Sequence, residues 1–165
     1  MEIIIYGSGA LGRLALNILK RKGTLEVIGF VDDDPLAYEF EIEGLKIIGS
    51  GKDLPKLKRF GVEGVCIAIH DGETRLWTAK LAQGVGLELI SADHENASIS
   101  SEASVGQGCI IDEGVRVEEG ARIGNCCFLA AGSHVKRNAV VDPGTNVPAG
   151  KIVTVEEKKE EESVL

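Results

Sequence analysis

The hydrophobic rhythm of the chain changes past its middle. Up to Ile90, short apolar runs alternate with stretches whose apolar residues recur at helical spacing. Glu2–Tyr6 is an apolar run of strand length, and Leu11, Leu14, Ala15, Ile18 and Leu19 mark one face of a helix from Ala10 to about Lys22, ended by Gly23. Leu25–Val31 reads as a second strand, stopped at Asp32-Asp33-Asp34-Pro35 because proline forbids simple continuation. Phe40–Ile48 is a short extended excursion with a turn at Glu43-Gly44. Helices over Lys52–Phe60 and Glu73–Gln83 then alternate with strands over Val65–Ile69 and Leu87–Ile90. Such alternation builds parallel βαβ units, whose right-handed crossovers put a ligand crevice at the carboxyl ends of the strands. The expected order of the four principal strands is 2-1-3-4.

From Ile99 the period becomes six. Ile99, Val105, Ile111, Val117, Ile123, Leu129, Val135, Val141 and Val147 form an unbroken aliphatic column. Four residues after each stands a mostly small residue: Ala103, Cys109, Val115, Ala121, Cys127, Ser133, Ala139, Thr145 and finally Lys151. Gly106, Gly108, Gly114, Gly120, Gly124, Gly132, Gly144 and Gly150 fill the gaps at turn positions. A hexapeptide period is the signature of a parallel β-helix. Lys151 cannot sit unpaired inside a solenoid, so the helix is expected to end there. The division read from the chain is 1–93, a Rossmann-like domain; 94–153, the β-helix; and 154–165, a charged tail.

Composition narrows the function classes. The 165 residues are 44% hydrophobic and 27% charged, a globular balance, while 4% aromatics and 21 glycines suit aliphatic layers joined by tight turns. A net charge of −8 argues against nucleic-acid partners and against anionic membrane surfaces. No run approaches the roughly 18 apolar residues of a membrane span, and the start of the chain reads as a strand, not a signal segment; the expected location is cytoplasmic. Cys66, Cys109, Cys126 and Cys127 lack CxxC or zinc-finger spacing and read as small, buried, reduced thiols, with Cys126 pointing outward. No metal is expected.

The candidate chemistry starts at Gly7-Ser8-Gly9-Ala10-Leu11-Gly12, which follows a strand, opens a helix and precedes an acidic residue by about twenty positions. Gly7 permits the tight turn, Gly9 lets a phosphate approach the backbone, and Gly12 lets helix and strand pack closely. The helix N-terminus offers unpaired amides and a positive dipole end to that phosphate. Asp32 is placed to accept from a ribose or sugar hydroxyl and to repel a 2′-phosphate. His70 lies at the carboxyl end of a strand, where such folds place ligand contacts.

A domain of this kind joined directly to hexapeptide repeats resembles the PglD/NeuD family of sugar acyltransferases. The strings "IIIYGSGALGR", "VIGFVDDDP", "GLKIIGSGKDL" and "VCIAIHDGETR" are similar to that family's nucleotide-sugar domain, and the segment from His94 to Val135 to the start of its β-helix. The resemblance implies an α/β domain with a small parallel sheet, then an all-β domain with three coils of left-handed parallel β-helix, assembled as a homotrimer. It implies three hexapeptides per coil, so that residues eighteen apart stack and Cys109 lies on Cys127 below Thr145. It also implies acetyl transfer from acetyl-CoA to a nucleotide-linked sugar such as a UDP-sugar, held by Gly7, Ser8, Gly9, Gly12, Asp32, Asp33, His70 and Asp71.

The family's general base is a histidine at the third position of a hexapeptide, where this chain has Arg137. A guanidinium, with a pKa above about 12, cannot accept that proton. His134 is the best candidate for a substitute base, set against a solvent-facing corner histidine, while Lys136 and Arg137 are candidates to hold an anion. The family's later coils help form the acetyl-CoA site, and this chain stops before most of them. Two alternatives therefore stand beside the acyltransferase: a non-catalytic, trimeric nucleotide-sugar-binding regulator or scaffold, and a NAD-binding protein.

Overall fold

A computed structural model of the chain describes residues 1–156; the outer part of the expected tail, residues 157–165, lies outside the described residues. The first domain runs β1 (Glu2–Tyr6), α1 (Ala10–Lys22), β2 (Glu26–Val31), β3 (Glu41–Ile42), β4 (Leu45–Gly49), α2 (Leu54–Arg59), β5 (Gly64–Ile67), α3 (Gly72–Gly84) and β6 (Glu88–Leu89). The sheet order is β3-β4-β2-β1-β5-β6. The four principal strands thus stand in the expected order, and the Phe40–Ile48 excursion adds an antiparallel hairpin whose inner strand β4 runs parallel to β2. Ile3, Ile4 and Ile5 are fully buried, because a central parallel strand is covered on both faces. Gly23, at φ 63°, ends α1 in the left-handed conformation, and Lys20, Arg21 and Lys22 complement the negative end of its dipole. The helix expected over Lys52–Phe60 divides into a 3₁₀ turn at Gly51–Asp53, closed by a Ser50–Asp53 capping box, and then α2.

The rest of the described chain is a left-handed parallel β-helix of two-residue strands in three sheets of four, four and three. Partners are eighteen residues apart: Ile110 pairs with Phe128, Arg116 with His134 and Arg122 with Val140. The aliphatic column points inward, and Ile111, Val117, Leu129, Val135 and Val147 are at most 3% exposed. Cys109, Ala121, Cys127, Ser133 and Ala139 fill the corners at 0% exposure. Every sixth residue from Gly108 to Gly150 has positive φ, and the two that are not glycine are Cys126 (φ 56°) and Asn138 (φ 61°). Each coil needs left-handed corners, and glycine enters that region without a Cβ penalty.

Two expectations need correction. The solenoid does not end at Lys151, because Ile152–Val153 adds a strand on His134–Val135. Lys151 itself is exposed, so no lysine is buried. Cys126 does point out of the coil, yet it is only 1% exposed, because it enters the core of the first domain. One prism face is covered there. Its outward column of Ala92, Ile110 and Phe128 packs against the residues that also bury α1 and β1. The cysteines are all buried free thiols.

The glycine turn is sterically locked. A Cβ at Gly12 would lie 1.9 Å from the Gly7 carbonyl oxygen, so the turn and α1 would have to separate. Gly12→Ala is expected to cost about 1–3 kcal/mol of stability, read from urea unfolding; an unchanged midpoint would contradict the close packing.

Candidate functional site

β1 ends at Tyr6, Gly7 turns the chain at φ 110°, and α1 begins after Gly9. A Cβ at Gly7 would meet the Ala68 carbonyl oxygen at 2.4 Å, whereas one at Gly9 would find nothing within 4 Å. The first glycine is required by the neighbouring strand, and the second faces open space. That space is a crevice of about 400 Å³ at the carboxyl ends of β1, β2 and β5, lined by Gly7, Ser8, Gly9, Asp32, Asp33 and His70, with Tyr6 and Thr74 beside them. No side chain caps α1 and its first turn has no acidic residue, so its first amides face the crevice without a partner from the cap.

The carboxylates around the crevice are built into the loop. Asp32 Oδ2 accepts from the Ser8 amide at 2.9 Å and from the Ser8 hydroxyl, and Oδ1 accepts from the Asp34 amide at 2.9 Å. Burial pushes the Asp32 carboxyl up, but the hydrogen bonds from Ser8 and from nearby backbone amides outweigh it and hold the pKa below its usual value. Asp33 accepts from the Tyr6 hydroxyl at 2.6 Å and from the Gly51 amide at 2.8 Å. Burial first, then the adjacent Asp33, raises the Tyr6 phenol above its usual range. Both acids keep lone pairs to offer a ligand hydroxyl.

Two predicted contact residues stand apart. Gly12 lies behind the turn. Asp71 is the N-cap of α3, its Oδ2 accepting from the Thr74 amide at 2.9 Å and hydroxyl at 2.6 Å, bonds that lower its pKa. The pattern of Asp71 followed three residues later by Thr74, just before a helix, is a cap signal visible in the chain. Past His70 the crevice opens into a notch of about 250 Å³ walled by Ala10, Leu11, Leu14 and Phe128. Phe128 belongs to the β-helix and was missed by sequence reasoning.

The second group of residues lies on an uncovered face of the β-helix. His134 Nε2 stands 2.7 Å from Glu118 Oε1. The Arg137 amide donates to Glu118 Oε2 at 2.8 Å, and Lys136 Nζ approaches Oε1 at 3.9 Å. The Arg137 amide, then the His134 ring, lowers the pKa of Glu118. An ionised carboxylate only accepts, so His134 donates through Nε2, and in the neutral ring Nδ1 would carry the lone pair. The Arg137 guanidinium pairs with Glu119 at 3.8 Å, and these charges border a polar hollow of about 310 Å³ with Ser98, Ser100 and Arg116. Lys136 and Arg137 thus face carboxylates. His94 accepts from the Asn96 amide through Nδ1 at 3.0 Å, a turn contact at the junction. Among the described residues no helix is long and apolar enough to cross a membrane.

Fold and site together define a two-part protein, a small parallel α/β domain with an open crevice joined to a left-handed β-helix. Residues 2–80 match the PglD N-terminal domain. The first domain therefore belongs to that family, and the chain has the architecture of the PglD/NeuD type. A mutant of perosamine N-acetyltransferase from Caulobacter crescentus, in complex with CoA and GDP-perosamine, superposes with a TM-score of 0.76 at 22% identity, over 94% of this chain and 90% of that one. The acetyltransferase domain of PglB from Neisseria gonorrhoeae, in complex with acetyl coenzyme A, gives 0.79 at 21%, over 88% and 69%. WeeI from Acinetobacter baumannii gives 0.53 at 16%, over 92% and 94%. No curated protein matches the chain significantly.

The Ser8–Asp32 contact makes a signed pH prediction. A carboxylate held below its ordinary value of 3.8 adds stability that is present above that pH and lost as pH falls through the folded value. Ser8→Ala is therefore expected to be less stable than wild type at pH 7, with the gap closing in acid below pH 3.8. A gap of the same size at every pH would refute the contact as the source of the shift.

Proposed function

We propose that the chain is a nucleotide-sugar acetyltransferase of the PglD/NeuD type, cytoplasmic and homotrimeric, with residues 1–93 holding the nucleotide-linked sugar and 94–153 carrying the transfer. The observation that carries this reading is the uncapped N-terminus of α1 opening into the crevice beside Gly9, a site for a phosphate. Asp32 and Asp33 receive ribose or sugar hydroxyls, and the sugar extends past His70 toward Phe128. Val140 and Ile152, exposed at 50% and 57% on the faces that the first domain leaves bare, support self-association. The structures with CoA or acetyl coenzyme A bound to similar folds support the donor.

Acetyl-CoA supplies an activated acetyl group. His134, its Nε2 proton held by Glu118, presents Nδ1 as base to an amine or hydroxyl of the sugar. As the new bond to the acetyl carbon forms and the bond to sulfur breaks, the proton of the attacking group passes to Nδ1, which returns it to the departing sulfur, so that coenzyme A leaves as the thiol. Arg137, in the position of the family's histidine, favours a second reading: a trimer that binds the nucleotide sugar without turning it over.

Thiol release from acetyl-CoA with UDP- and GDP-linked amino sugars separates the two. His134→Ala is expected to lower kcat by about 10²- to 10⁴-fold with the sugar KM nearly unchanged. Turnover unaffected by that substitution removes His134 from the mechanism. Sugar binding with no thiol release from wild type establishes the second reading.

A further inference from the structure

Arg75 is fully buried and heads the described residues in buried side-chain volume, yet it touches neither the crevice nor the His134 face. Its fork is saturated. Nε donates to the Cys126 carbonyl at 2.7 Å, and Nη1 donates to the Ile69 and His70 carbonyls at 2.8 and 3.1 Å. Nη2 donates to Asn146 Oδ1 at 2.8 Å and to the Gly144 carbonyl at 3.5 Å. Every acceptor is a neutral oxygen. The two carbonyls at Ile69 and His70 belong to the loop between β5 and α3, and the other three acceptors belong to the β-helix.

Several features converge on this side chain. Asn146 Nδ2 donates to the same His70 carbonyl at 2.8 Å, so that oxygen is held twice. Cys126 is a left-handed corner without glycine, and its carbonyl takes the Nε bond. A Cβ at Gly72 would lie 1.8 Å from the Gly144 carbonyl oxygen, so the two backbones touch here. The backbone of His70 is thereby fixed to the β-helix, while its side chain lines both the crevice and the notch closed by Phe128.

We propose that Arg75 is a positioning residue for the crevice. It clamps the Ile69–His70 backbone to the Cys126 and Gly144–Asn146 corners, so that His70 and Phe128 meet the ligand as one wall. The proposal rests on the nucleotide-sugar reading of the crevice. Lysine cannot replace it, since an ammonium has three donors at one point where a planar fork reaches five acceptors in three segments. A purely structural tie would stabilise the protein and leave the affinity of folded molecules unchanged.

The test uses Arg75→Lys, and Asn146→Ala as a milder variant should the lysine protein not fold, each with and without His70→Ala. Folded variants are expected to bind UDP- or GDP-linked sugars about tenfold more weakly. His70→Ala should add less than about twofold to either, because both changes act through one wall. Unchanged affinity, or losses that simply multiply, would overturn the proposal. Hydrogen exchange in the ligand-free protein gives an independent arm: amides 69–72 should exchange faster in both variants, and unaltered exchange also overturns it. Should wild type bind no nucleotide sugar, the crevice reading fails on its own and the exchange arm decides for Arg75.

Discussion

A buried guanidinium surrounded only by neutral oxygens holds the two halves of this chain in register. Burying a charge without a counter-ion is costly, and the cost is offset only when every donor finds an acceptor. Arg75 meets that condition through oxygens from the β5–α3 loop and from two successive coils. The geometry is restrictive, because sliding the β-helix by one coil would put Phe128 where Asn146 accepts from the fork. The apolar contacts of Ile110 and Phe128 supply area, while the fork supplies register. The notch between His70 and Phe128 follows from that placement.

The sequence makes the two rhythms plain because each is a direct imprint of geometry. Alternating strands and amphipathic helices leave runs and helical spacing, and a triangular coil leaves an inward aliphatic residue every sixth position. The left-handed corners show as glycines at the same period, and the structure adds Cys126 and Asn138 to that series. The glycine turn was legible too, since Gly7 and Gly12 are forced by contacts inside a single βα unit.

What was not legible depends on the meeting of distant segments. Arg75 sits in an ordinary amphipathic helix, and no local pattern announces that the residues facing it will be Cys126 and Asn146. The covered face had a faint signal. Among outward residues that are mostly polar, Ile110 and Phe128 stand eighteen apart in one column, although Val140 and Ile152 on the other faces are apolar too. The direction of Cys126 could be read from its position, but its destination could not. Asp32 reads in the chain as a ligand for a hydroxyl, and its added contact with Ser8 is three-dimensional information carried by the turn itself.

The functional account is uneven in the same way. In the first domain an open glycine faces an uncapped helix end, and the family match covers that domain. On the β-helix a histidine–carboxylate pair stands beside Arg137. The central claim is therefore that the phosphate of a nucleotide sugar rests against Gly9, and it has a direct measurement. Calorimetric titration of wild type and Gly9→Val with UDP- and GDP-linked sugars tests it, because a Cβ added there meets nothing within 4 Å on a residue that lines the crevice. The account predicts micromolar binding by wild type and its loss in Gly9→Val protein that remains folded. Equal binding by both proteins, or no heat from wild type at millimolar ligand, would contradict it.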